Sequence, residues 1–318
     1  MADRIRKINI DKNTVHAVVN TDGSVLPTTA SIYGLAVSAE GTVYTTDYAN
    51  HVVYKVFEDG RVNGAVVGDL GTSGDAVSSG LYGSTGNNAR LNTPYGICVD
   101  ASGNIFVSDN FNHKIKRLSP SGRCQTLAGT GSEGDVVDNN GLLCQFSVPS
   151  GIAVDKAGML YVCDTGNSKI KKIWPNGKVT TLAGATGGGF ANGNGTDAKF
   201  NGPSGVCVDQ NATLYVADTG NYRVRKIDEA GNVVTLAGFS SGSVDDVGNA
   251  ARFAAIYDIC IDASGTIFVL DYGNATIRRV LTSGKVATMF AWKSGTTGSA
   301  SAIAVDRSGF LYFLEKNV

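Results

Sequence analysis

The chain has 318 residues, 42% of them hydrophobic, enough for one large domain or two ordinary ones with a sizeable core. Its 41 glycines stand against 6 prolines, and with short apolar runs this implies many tight turns and an all-β protein. A formal net charge of −1 argues against a general polyanion binder. No run of about 18 apolar residues is present to cross a membrane, and the opening MADRIRKINI lacks the apolar stretch of a secretory leader, so a cytoplasmic protein is expected unless a native leader lies outside this sequence.

Taken in chain order, RIRKINIDKNTVHAVV (4–19) reads as two strands joined by a turn, and a loose four-strand unit runs from Ile32 to Gly68. PYGICVDASGNIFVSDNFNHKIKRLSPSGRCQTLAG begins at Pro94, and close copies begin at Pro149 and Pro203, 55 and 54 residues further on. A fifth copy runs from Ile256 to Phe290, and SAIAVDRSGFLYFLEKN (301–317) holds two strands only. Each full copy has four short apolar runs rich in Val, Ile, Leu and Tyr, separated by turn signals, which is a four-stranded antiparallel meander with strands A to D. The two-strand pieces at the ends complement each other. Strands A and B at the C-terminal end and C and D at the N-terminal end make a sixth copy, so both termini close one ring and no sheet edge is left open between first and last. The expectation is a six-bladed β-propeller filling residues 1–318. Its blades are at 31–68, 94–129, 149–184, 203–238 and 255–290, with a sixth from 300–318 plus 4–20.

The copies, PSGIAVD…LYVCDTGNSKIKKI…GKVTTLAG above all, resemble the NHL family of six-bladed β-propellers over nearly the whole chain. That scaffold hosts enzymes, RNA readers and protein-binding platforms, so the resemblance specifies fold far more than function. It includes peptidyl-hydroxyglycine lyases that hold zinc with histidines, and this sequence has no evident match for that ligand set.

Recurrence separates architecture from chemistry. Asp164 shares its slot with Asp47, Asp109, Asp218, Asp271 and Glu315, and Asn167 shares its slot with Asn50, Asn112, Asn221 and Asn274. A catalytic group need occur once, whereas a turn-former recurs, so these shape the B–C turns. Strand C reads KIKRL, KIKKI, RVRKI or TIRRV. Alternation buries the aliphatic residues and turns the basic ones to the other face, solvated or acid-paired. The connectors GNNARLNTP, GLLCQFSVP, GTDAKFNGP and GNAARFAAI imply a helical turn that drops Leu91, Phe146, Phe200 and Phe253 between blades. Cys98, Cys207 and Cys260 occupy an alanine slot of strand A, and Cys124, Cys144 and Cys163 fill other small-residue or valine slots. With no CxxC pair, all six read as buried free thiols. His51 and His113 follow the turn asparagine, His16 lies on strand D, and equivalent rim positions do not converge on a metal. GTGSEG (129–134) matches GxGxxG but no helix follows it, so it and GATGGGFANGNG (184–195) read as flexible connectors.

Function is sought where the repeat fails. The residue before the strand-A glycine is Tyr33, Tyr95, Ser150, Ser204, Tyr257 and Ser301 in blades one to six, and Asp258 replaces the glycine in blade five. Tyr48, Phe111 and Tyr272 stand in the B–C turns of the tyrosine-bearing blades, as counterparts of Thr165. The loop face should therefore be aromatic on one side and hydroxyl-lined on the other, as at ligand clefts and interfaces. The reading is a monomeric, non-enzymatic module using these ten residues to bind a protein segment or small ligand, with no catalytic residue, metal or cofactor assigned and nucleic acid disfavoured by charge. The alternatives are a metal-assisted lyase or lactonase using Asp258, and single-stranded RNA binding by a basic, aromatic face.

Overall fold

The computed structural model describes residues 4–10, 14–17, 30–57, 62–77, 89–292 and 299–316 (side chains of residues 4, 16–17, 62–64, 299 and 316 apart). Six antiparallel sheets stand in a ring, each running from an innermost strand A to an outermost strand D. In blade three these are Pro149–Val154, Leu160–Asp164, Lys169–Ile173 and Val179–Ala183. Blade four adds a two-residue edge strand, Gly193–Asn194, from the preceding connector. Blade six is built from Ser299–Val305 and Phe310–Lys316 paired to Arg4–Asn9 and Thr14–Ala17, with Arg6 opposite Phe313. Strand A of each blade contacts strand A of the next all the way round, so the ring is closed. No helix among the described residues is long and apolar enough to cross a membrane.

The core lies between blades. Each inter-blade cluster takes aliphatic residues from strands A to D of one sheet and from the facing sheet. The connector side chains Leu91, Phe146, Phe200 and Phe253 are fully buried among them. Single 3₁₀ turns precede three of these, Gly141–Leu143, Gly195–Asp197 and Gly248–Ala250. The corresponding stretch before Leu91 lies outside the described residues.

The strand-C basic residues divide between the two expected fates: Arg117 and Arg279 are exposed, and a buried set is acid-paired rather than facing outward. Lys116, Lys171, Arg225 and Arg278 are buried and turn back onto the aspartate ending strand B of their own blade. Arg225 meets Asp218 at 2.8 Å, Arg278 meets Asp271 at 3.0 Å, and Lys171 meets Asp164 at 2.7 Å. In blade six the same pair, Arg6 and Glu315 at 2.7 Å, joins the two chain ends. Each aspartate also accepts a backbone N–H from the preceding connector and the amide of the turn asparagine, as Asp164 does from Ser147 and Asn167. That asparagine donates in addition to a connector glycine carbonyl, Asn167 to Gly134 and Asn221 to Gly189. The glycine-rich connectors are therefore pinned to the B–C turns rather than loose. A buried charge costs free energy unless paired and hydrogen-bonded, and this network supplies both.

Candidate ligand site at the channel mouth

The D–A connectors and B–C turns form one face, and the axial channel opens there between the first residues of the six A strands. Its wall is tightly built. A Cβ on Gly96 would lie 2.2 Å from the carbonyl oxygen of Ser150, so only glycine lets blade two approach blade three.

Side-chain clamps hold most of the described seams. From blade one to two, Thr46 Oγ1 donates to Tyr95 O at 2.6 Å, and from two to three Asn110 Nδ2 donates to Pro149 O at 2.8 Å. From three to four, Thr165 Oγ1 donates to Pro203 O at 2.8 Å and Ser150 Oγ to Ser204 O at 2.9 Å. From four to five, Thr219 donates to Ile256 O at 2.6 Å and Ser204 to Tyr257 O at 2.7 Å. From six to one, Ser301 Oγ donates to Ile32 O at 2.6 Å. The seam from five to six has the opposite polarity. There Asp258 Oδ2 accepts the N–H of Ile303 at 2.9 Å, while Oδ1 accepts that of Ile259.

This places each expected site residue. Ser150, Ser204 and Ser301 stand at the mouth, but their hydroxyls are engaged by backbone carbonyls of the next blade, so they hold the wall. Thr165 belongs to the same clamp. Its counterpart in blade two is Asn110 and not Phe111, because the 3₁₀ turns align Asn110–Asn112 with Thr165–Asn167. Phe111 is one position further on and 51% exposed. In the tyrosine-bearing blades the seam is held by Thr46, Asn110 and Asp258, of which Asn110 keeps the slot of Thr165 and the other two stand elsewhere. Tyr33 packs on Tyr95 and on Tyr48 with ring centroids 5.1 Å apart in both pairs, and Tyr48 meets Phe111 edge-on at 6.3 Å. Tyr257 stacks on Tyr272 at 4.5 Å with a 9° interplanar angle. Tyr33, Tyr95, Tyr257, Asp258, Ser204 and Ser301 all line one axial cavity of about 250 Å³.

Burial pushes the Asp258 carboxyl up to about 7 against the two backbone N–H groups that favour its charged form. Burial also raises Tyr95, with Asp258 and the other mouth tyrosines adding to the shift. Cys98, Cys207 and Cys260 line the same cavity and are free, and burial holds their thiols neutral. Among the described residues no three His, Cys, Asp or Glu side chains converge as a metal site.

Sequence reasoning missed the roles of His51 and His113. They sit in the left-handed region at φ 60° and 52°, and Nδ1 of each accepts a connector N–H, from Thr93 at 3.0 Å and Val148 at 3.2 Å. Their recurrence beside a positive-φ slot was the available signal. The His16 side chain lies outside the described residues.

Comparison with known proteins agrees with the repeat. The NHL repeat model matches residues 146–173 and 200–227. NHL repeat-containing protein 2 of Bos taurus is 34% identical over 147 residues, which is 44% of this chain and 20% of that protein. The chain thus spans about a fifth of the length of such relatives. A streptogramin B lyase superposes with a TM-score of 0.59 at 13% identity, covering 92% of this chain and 96% of the other. A chain of a nidogen/laminin complex gives 0.63 at 17% identity, covering 92% and 94%. These two neighbours share the fold and carry different functions. The repeat, the ring of six sheets and the family match together make this chain an NHL-repeat six-bladed β-propeller.

Proposed function

We propose that the protein is a non-enzymatic binding module whose channel mouth receives a protein segment or small ligand. The observation that carries this reading is the relocation of the seam clamp. Where blades three and four use the slot of Ser150 and Ser204 to tie the wall together, blades one, two and five place tyrosines there and leave the seam to Thr46, Asn110 and Asp258. The result is a nearly contiguous aromatic arc, with Phe111 and Tyr272 51% and 38% exposed, leading to a cavity. Aromatic side chains with polar tips offer large contact area at little entropic cost. A Tyr33/Tyr95/Tyr257→Ala triple variant that still melts cooperatively is expected to lose partners retained by the wild type in affinity capture from source cells. Equal retention by both proteins overturns the reading.

A metal-assisted propeller enzyme is the second reading, and the raised carboxyl of Asp258 inside a cavity is what favours it. Elemental analysis of purified protein tests it, with a stoichiometric metal lost in Asp258→Asn as the supporting result. For single-stranded RNA the support is weaker, since Lys116, Lys171, Arg225 and Arg278 are buried in ion pairs and present no basic rim.

A further inference from the structure

We infer that the axial cavity takes a small organic cation, an alkylammonium group set against the tyrosines of the mouth with Asp258 as its counter-charge. This deepens the reading of the mouth as a binding site and rests on it.

Three observations converge. First, among the described residues Asp258 is the only charged one lining the cavity, and no lysine or arginine lines it. Second, further carboxylates act on the thiols that line the cavity. Asp100, Asp209 and Asp262 each act on a cavity thiol, those of Cys98, Cys207 and Cys260, and push its ionisation further out of reach. A cleft lined by one sign of charge with low-dielectric walls concentrates ligands of the other sign. Third, Tyr33, Tyr95 and Tyr257 line the same cavity as that carboxylate, and the faces of aromatic rings attract cations, quaternary ammonium groups included.

The same facts set the class of cation. One carboxylate without two further converging ligands does not make a closed site for a bare metal ion, whereas an alkylammonium needs contact area and one counter-charge. A cavity of about 250 Å³ is below the roughly 300–1,000 Å³ of drug-sized pockets and fits a small head group. An anion or a neutral apolar group would leave the Asp258 charge buried and uncompensated.

The test is calorimetry on the full chain with choline, and with 3,3-dimethylbutan-1-ol as its neutral isostere. Choline is expected to bind at least tenfold more tightly than the alcohol, and Asp258→Asn to remove that preference. Because choline does not titrate, wild-type affinity should also fall about tenfold from pH 8 to pH 6 as one group near pH 7 takes up its proton. The other ionisable groups facing Asp258 are Tyr95 and the thiols of Cys163, Cys207 and Cys260, and all stay neutral over that range. The pH series on the wild type and a Tyr257→Leu variant, expected to weaken choline at least fivefold, decide the matter if Asp258→Asn does not fold. Equal binding of choline and the alcohol, no binding of either, or an affinity flat with pH overturns the inference. If choline fails while the tyrosine triple variant still loses captured partners, the ligand class is wrong and the mouth reading stands. If both fail, the mouth reading falls with it.

Discussion

Blades three and four differ from blades one, two and five at the slots of Ser150 and Thr165 in an otherwise repeated wall. Ser150 with Thr165 and Ser204 with Thr219 form paired hydroxyls that reach the carbonyls of the following blade. In the other three blades the slot of Ser150 holds Tyr33, Tyr95 and Tyr257, and Thr46, Asn110 and Asp258 take over the seam. The backbone is the same in both halves. A structural task can thus be transferred to a neighbouring residue, which releases a slot for another use. The displaced clamp is more informative than the aromatic residue itself, since an aromatic ring at a propeller mouth could simply be packing.

The comparison is sharpened first by removing what both halves share. Asp218→Ala leaves Arg225, fully buried, without its carboxylate, and an uncompensated buried charge costs about 3–5 kcal/mol. Urea unfolding should show that loss, and a variant as stable as the wild type would show that the spoke pairs do not hold the ring.

The next effect belongs to the aromatic half alone. A carboxyl raised to about 7 in the folded protein favours folding when protonated. Its contribution is fully present below its unfolded value near 4 and is lost as pH rises through about 7. Asp258→Asn should therefore gain unfolding free energy relative to wild type between pH 5 and pH 8, by an amount on the order of a few kcal/mol at most, read by urea unfolding across that range. A constant difference across that range would mean that the carboxyl is not raised.

In the clamp half, a Ser150→Ala/Thr165→Val double variant strips the side-chain donors from the Pro203 and Ser204 carbonyls. It should cost about 1–3 kcal/mol, read by urea unfolding. The same variant should leave ligand binding at the mouth unchanged. If it weakens binding as much as Tyr257→Leu does, the division between the two halves is broken. The smallest expected effect is that of Phe111→Ala, within about 0.5 kcal/mol in stability because the ring is 51% exposed. Its consequence should appear in partner capture instead.

Much of the fold was legible because recurrence is a property of the sequence itself. Complementary half-blades at the two ends, the shared slot of Asp164 with Glu315 and the buried Leu91, Phe146, Phe200 and Phe253 all follow from period and alternation. The fate of Lys171 was not legible. Alternation said which way it leaves the strand, while its burial depends on Asp164 and Asp135 standing above it, and Asp135 comes from a connector 36 residues away. The slots of Asn110 and Phe111 were confused for a similar reason. Both are polar-turn neighbours in the chain, and only the 3₁₀ turn and the bond to Pro149 show which one faces the seam.

By itself the sequence determined six repeated units, their strands and the closure by both termini, because hydrophobic periodicity and turn chemistry act over a few residues. Only the tertiary structure decided that Ser150, Ser204 and Ser301 build the wall, that Asp258 reverses the seam and that three tyrosines share a cavity. Those facts depend on which carbonyl or N–H of the next blade lies within 3 Å, a distance set by the ring and not by neighbours in the chain.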